Sequence, residues 1–287
     1  MSSETKQIMR ATGLLIIEAI NSNPNGDPDR ESDPRQRPDG LGEISPVSFK
    51  RKLRDLVEDK QEGSFWKELN KKFNFNDEEF AILESRGRDR KEINELLKND
   101  IEAFKKKYWD ARIFGNTFLE EGASTTIKTG VVQFGMGLSV APILIERQTN
   151  TNKAGVEGDK DRGMAPMAYR IVQHGIYCMP FFVNPSAAHK SGCTARDIEL
   201  LLSIIPYAYP HTRSYVRPNV ELLHAWYMEH KSPLGSCSDF KLIDSLTPSK
   251  REQPERASTS RKEYDIPSVL SEELKAKVAL VKDLMDF

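Results

Sequence analysis

Residues 11–20 (ATGLLIIEAI) form a compact apolar stretch that residues 21–26 (NSNPNG) cut off abruptly. A short apolar run closed by Asn, Pro and Gly reads as a buried strand followed by a turn. The loop then continues to about Glu43 and carries four prolines between Pro24 and Pro38. A loop of this length inside a compact domain is uncommon and often functional, which marks it as a binding loop. Ser45 and Pro46 open a helix, with Ser as N-cap and Pro at the first helical position. Phe49, Leu53, Leu56 and Val57 recur on one apolar face, while Lys50, Arg51 and Arg54 point along the adjoining surface.

Downstream, residues 64–110 are charged and helical in period, with Phe65, Trp66, Leu69, Phe73, Phe80 and Leu83 as expected core positions. Acidic and basic residues interleave evenly there, which fits an inserted helical subdomain better than a nucleic-acid face. Residues 125–145 are rich in β-branched residues and Gly, and strand character resumes over 167–183. The polar, Gly-rich stretch between them predicts a hairpin, 146–168, extended beyond the sheet. Residues 193–206 predict a capped helix, with Thr194 as N-cap and Asp197 at N3. Residues 220–229 read as a further helix, 240–246 as the last strand, 250–261 as a mobile loop, and the tail from Ser271 as an amphipathic helix. Strand, helix, insertion, strand, hairpin, strand, helix, strand is the order of a βαββαβ core. The expected fold is therefore α+β, an RRM-like (ferredoxin-like) single domain over 1–287 with insertions at 64–110 and 146–168.

The chain holds 42 basic and 43 acidic residues, a formal net charge of −1. A strongly basic total would argue directly for nucleic acid; without it, any such site must be local. No apolar run approaches the roughly 20 residues that span a bilayer. Residues 1–10 are polar and lack the apolar core of a signal peptide. Three cysteines, Cys178, Cys193 and Cys237, form no CxxC pair. Together these features predict a cytoplasmic protein that does not bind membranes.

The NPNGDPD of residues 23–29, followed by Lys50-Arg51-Lys52-Leu53-Arg54 and then Asp110-Ala111-Arg112-Ile113-Phe114-Gly115, carries a resemblance. In that order these segments resemble the Cas7 family, specifically the Csd/Csh branch of CRISPR Cascade backbone subunits. One departure is the residues before the helix, Glu43-Ile44-Ser45-Pro46-Val47, where the family has V-S/T-D-V. The resemblance implies an RRM-like palm with a helical insertion and a thumb hairpin. It also implies copies that stack along the guide RNA (crRNA), each thumb displacing one base, and no catalysis by the type I backbone subunit. The implied partners are crRNA, target DNA, other copies of the chain and other Cascade subunits, with no cofactor. Gln133 falls where the family has a strand feeding the thumb.

Lys50, Arg51 and Arg54 at the start of a helix suit phosphate contact, since free N–H groups and the helix dipole attract anions; a solvated basic face is the bland alternative. Asn21, Asn23 and Asn25 could meet 2′-hydroxyls or phosphates, or serve turn chemistry. Arg112 suits phosphate or base contact, or a structural ion pair. In the expected thumb, Arg162 and Met164 are the RNA candidates, Met164 as an apolar wedge between bases, with Met167 as second choice. Catalytic patterns are missing: the five histidines show no HExxH spacing, no GxSxG occurs, and the Asp27–Asp29–Glu31 alternation lacks the Gly and Glu of a calcium loop. Two other function classes stay open. One is metal-dependent RNA cleavage of the type III kind through Asp27 or Asp29, and the other is a protein-only scaffold.

Overall fold

The computed structural model describes residues 7–58, 63–85, 89–115, 129–152 and 165–286. In chain order the strands of its main sheet are β1 (Ala11–Ser22), β2 (Leu41–Ile44), β3 (Val132–Phe134), β4 (Gly137–Pro142), β5 (Ile145–Asn152), β6 (Ala165–Val183), β7 (Val220–His230) and β8 (Val278–Asp283). They form an antiparallel sheet in the order β8-β7-β1-β6-β4-β2, with β3 and β5 also paired to β6. The longer helices are α1 (Pro46–Glu58), α2 (Ser64–Phe73), α3 (Arg90–Asn99), α4 (Ile101–Lys107), α5 (Trp109–Phe114), α6 (Ala195–Ile204) and α7 (Asp239–Leu246). The result is a mixed α/β architecture on a large antiparallel sheet.

The near-continuous apolar run of β1 has a physical cause: both faces of the sheet are covered, so neither side of the strand meets water. Leu15, Ile17 and Ala19 join Phe49, Leu53 and Val57 of α1 and Leu200, Leu201 and Ile204 of α6 in the larger core. Leu14 and Ile16 point the other way, into a second core with Trp226, Met228, Leu242 and Leu246 of β7 and α7, and with Tyr264, Leu270 and Leu274. Gly13 stands opposite Phe181 across the β1–β6 ladder. A Cβ at Gly13 would lie 2.0 Å from the Phe181 ring, so only glycine admits that ring over the strand.

Strand β6 outruns its neighbour. Its pairing with β1 ends at Ser22 opposite Val172, while its residues 165–171 continue the ladder with β5 alone. Between α1 and β3, helices α2 to α5 pack Trp66, Phe75 and Phe80 onto the larger core and gather Leu83, Ile93, Phe104 and Tyr108 into a small core of their own.

Three local expectations are corrected. Residues 220–229 are not a helix but most of β7, paired with β1 on one side and β8 on the other. The expected last strand, 240–246, is helix α7. The tail is not an amphipathic helix: beyond a single turn, Glu272–Lys275, it extends as β8 at the sheet edge. Each is a short apolar segment whose periodicity fits either state, and the free edge of β7 decides between them. Residues 250–261, expected to be mobile, lie in a lobe folded back on itself. Lys250 Nζ donates to the carbonyls of Gln253 and Arg256, and the Arg251 N–H donates to that of Glu263. Among the described residues, no helix is long and apolar enough to cross a membrane.

Candidate nucleic-acid interface

The asparagines that close β1 are engaged in holding the loop. Asn21, exposed near the end of β1, adopts a left-handed backbone (φ 44°). Asn23 and Asn25 are buried. The Asn23 amide donates to the Ser32 carbonyl at 2.8 Å, and its backbone N–H donates to Val216. Asn25 accepts the Ser45 backbone N–H at 2.8 Å on its side-chain oxygen and so fixes the entry to α1. Asn23 and Asn25 thus brace the loop through these bonds. Further along, Arg170 pairs with Glu31 and Asp33, and Arg147 with Asp33 at 2.6 Å, tying the loop to the root of the β5–β6 hairpin.

On α1 the three predicted cations separate. Arg51 is held by Asp55 and Glu58 at 2.5 Å each and by the Glu84 carbonyl. Arg54 is buried against Asp110 at 2.9 Å. Of the three, Lys50 alone lacks a carboxylate partner among the described residues; it lies 5.1 Å from the centroid of the Phe114 ring, and burial together with Arg54 lowers its pKa to about 8. Arg112 is a structural ion pair: its five N–H groups reach Asp197 and the carbonyls of Glu79, Lys105 and Lys106, so no donor is left for RNA. Gln133 is exposed between buried Val132 and Phe134. Alternation turns it to the face opposite the Phe49–Phe134 contact, away from α1. Arg162 and Met164 lie outside the described residues; for Met167 only its backbone pairing with Asn150 is described.

The sequence reading missed three residues. Lys52 is 4 % exposed, makes no hydrogen bond or ion pair among the described residues, and sits 5.2 Å from the centroid of the Tyr209 ring. Arg217 donates through Nε to the Asn23 carbonyl at 2.8 Å and has no carboxylate partner among the described residues. Tyr215 is 58 % exposed and packs 4.5 Å from Tyr169 at the hairpin root, with exposed Ile20 and Val216 nearby in the same joint. The signal was the stretch 211–219 (HTRSYVRPN), with two arginines around a tyrosine just ahead of a strand. Asp27 accepts the Asp29 backbone N–H, and no group of three His, Cys, Asp or Glu side chains that could hold a metal occurs among the described residues. The sheet face that carries Leu14, Ile16 and Glu18 is closed by α7 and by residues 258–264, where buried His174 bridges Glu18 and Ser258. The 23–45 loop, α1 and the 213–219 loop meet where Arg217 donates to the Asn23 carbonyl, Asn25 accepts from Ser45 and Lys52 feels the charge of Arg217.

A family model described as CRISPR-associated protein Cas7 matches residues 9–268. Among solved structures, a chain of "CRISPR RNA-guided surveillance complex, pre-nicking" is 13 % identical with a TM-score of 0.48, over 76 % of this chain and 77 % of that one. A chain of "CRISPR RNA-guided surveillance complex" is 17 % identical with a TM-score of 0.42, over 75 % and 68 %. A chain of the type III-B Cmr-beta complex bound to cognate target RNA is 14 % identical with a TM-score of 0.41, over 77 % and 61 %. No curated protein sequence matches.

Proposed function

The chain belongs to the family of CRISPR-associated protein Cas7, and from that premise we propose that it is the backbone subunit of a type I Cascade interference complex. In this reading it is a cytoplasmic protein that binds the spacer of the crRNA without reading sequence, oligomerises along it beside other Cascade subunits, and presents the bases to target DNA. Phosphate contacts position a strand and carry no base information. The observation that carries the reading is that Lys52 and Arg217 come together where the 23–45 and 213–219 loops meet α1, with no ion-pair partner among the described residues, in a chain whose net charge is −1. The order β7-β1-β6-β4, with α1 after β1 and α6 after β6 against the same core, supports an RRM-like palm. The β5–β6 hairpin supports a thumb. The type I assignment rests on the NPNGDPD loop and the KRKLR helix.

Purified protein should carry RNA, seen as a high 260/280 absorbance ratio, and should shrink on gel filtration after RNase. Lys50→Glu with Lys52→Glu should abolish RNA retention, whereas Arg51→Gln should leave it near wild type, because Asp55 and Glu58 already neutralise that guanidinium. Retained RNA in the double variant would refute the site. The reading also expects no catalysis. Target RNA incubated with Mg²⁺ should stay intact, and metal-dependent cutting lost on Asp27→Ala or Asp29→Ala would replace this reading with the type III one.

A further inference from the structure

Lys52, Tyr209 and Arg217 form a constellation that folding alone does not explain. Lys52 enters from α1, Tyr209 lies just beyond α6, and Arg217 belongs to the loop before β7. Lys52 and Tyr209 are both more than nine-tenths buried. The Tyr209 hydroxyl is buried with no hydrogen-bond partner among the described residues, and the Lys52 ammonium has neither hydrogen bond nor ion pair among them. Arg217 lies close enough for its charge to act on both. Asp55 is the acid that acts on Lys52, yet its carboxylate is already held by Arg51. Two cations brought together out of water repel each other, and a buried hydroxyl without a partner is costly. Three sets of donors therefore converge, and among the described residues only the Arg217 Nε meets an acceptor, the Asn23 carbonyl.

We propose that Lys52, Tyr209 and Arg217 are a pocket for one phosphate group of the bound strand. This inference rests on the RNA-binding reading above and adds the place where the strand is pinned. A phosphodiester supplies what is missing: two non-bridging oxygens and one negative charge. The Lys52 ammonium and the Arg217 guanidinium offset the charge, the guanidinium offers donors in a planar fork, and the Tyr209 hydroxyl donates a third bond. All three groups can act as donors toward the phosphate, so the pocket holds the backbone of any sequence and does not distinguish ribose from deoxyribose. The same surroundings tune Lys52: burial, then Arg217, lower its pKa to about 8. An arriving phosphate favours the charged amine, so binding above pH 8 takes up a proton.

The test uses the full chain freed of RNA, a fluorescein-labelled oligouridylate and, separately, inorganic phosphate. For wild type, affinity should fall with salt and fall again from pH 7.5 to 9. Lys52→Met with Arg217→Gln should reduce the slope of log K against log salt by about 0.7, one phosphate's share for a single strand, and flatten the pH dependence. Tyr209→Phe removes only the hydroxyl; it should weaken oligouridylate binding several-fold while melting at or above the wild-type temperature. An unchanged salt slope in the folded double variant, with unchanged affinity for Tyr209→Phe, overturns the pocket even though wild type binds RNA. Stabilisation by inorganic phosphate in wild type alone, with oligouridylate affinity unaltered by all three substitutions, also overturns it, because the occupant is then free phosphate. Failure of wild type to bind the oligomer at all refutes instead the reading of the chain as an RNA holder.

Discussion

Asp110 and Arg112 stand two residues apart on α5 and reach in different directions. Asp110 accepts from Arg54 on α1 and from the backbone N–H groups of Leu83 and Glu84. Arg112 pairs with Asp197 at N3 of α6, whose carboxylate also accepts the Thr194 N–H at 2.7 Å. The two pairs tie α5 to α1 and to α6. Removing one partner leaves an uncompensated buried charge, which costs about 3–5 kcal/mol. Arg112→Met should therefore lower the urea midpoint sharply while leaving the RNA affinity of the remaining folded protein unchanged; weakened RNA binding at full stability would show a direct contact instead. Lys52 behaves in the opposite way. In the unfolded chain its amine keeps its proton to about 10.5, whereas in the fold it releases it near 8. The unfolded state thus binds more protons between those values, and the penalty for the buried charge is full below pH 8 and fades above it. Lys52→Met should stabilise the RNA-free protein at pH 7 by about 1 kcal/mol or more, and its advantage over wild type should shrink toward pH 9.5 in paired thermal melts. An advantage that does not change with pH would mean that the amine is already neutral or fully solvated at pH 7.

At the scale of elements, what sequence pattern reached and what it did not divide by length. Helix α1 was legible because its cap, its Pro at the first position and its apolar stripe agree, and α6 because Thr194 and Asp197 close its start. Strand β1 was legible from its apolar run. Strand β7, helix α7 and strand β8 were not, because runs of six to eleven residues satisfy either period. The β1–β6 ladder carries a sharp test of packing. Gly13→Ala drives a methyl into the Phe181 ring, and overpacking of this kind costs about 1–3 kcal/mol. The expected result is a lower denaturant midpoint, with Phe181→Leu restoring part of the loss in the double variant. Full stability in Gly13→Ala alone would mean that the ring moves aside freely.

Across the whole molecule, one face of the sheet carries α1 and α6 and the other is sealed by α7 and the C-terminal lobe. The RNA site proposed above lies away from that sealed face, where the end of β1 leads to α1. If copies share one strand, weak contacts between neighbours are reinforced through the common RNA. Particle size measured by light scattering should then grow with guide length; equal sizes on short and long guides would contradict it. The sequence by itself determined the family, the strand–loop–helix opening and the location of cationic residues on α1, since these depend on contiguous residues. It could not determine which cations stay available, because an ion pair is settled by what another element brings within about 4 Å. Asp110, 56 residues from Arg54 in the chain, neutralises it, and Asp197, 85 residues from Arg112, does the same. Lys52 has no ion pair among the described residues because the fold gives Asp55, the acid that acts on it, to Arg51, and Arg217 has none either.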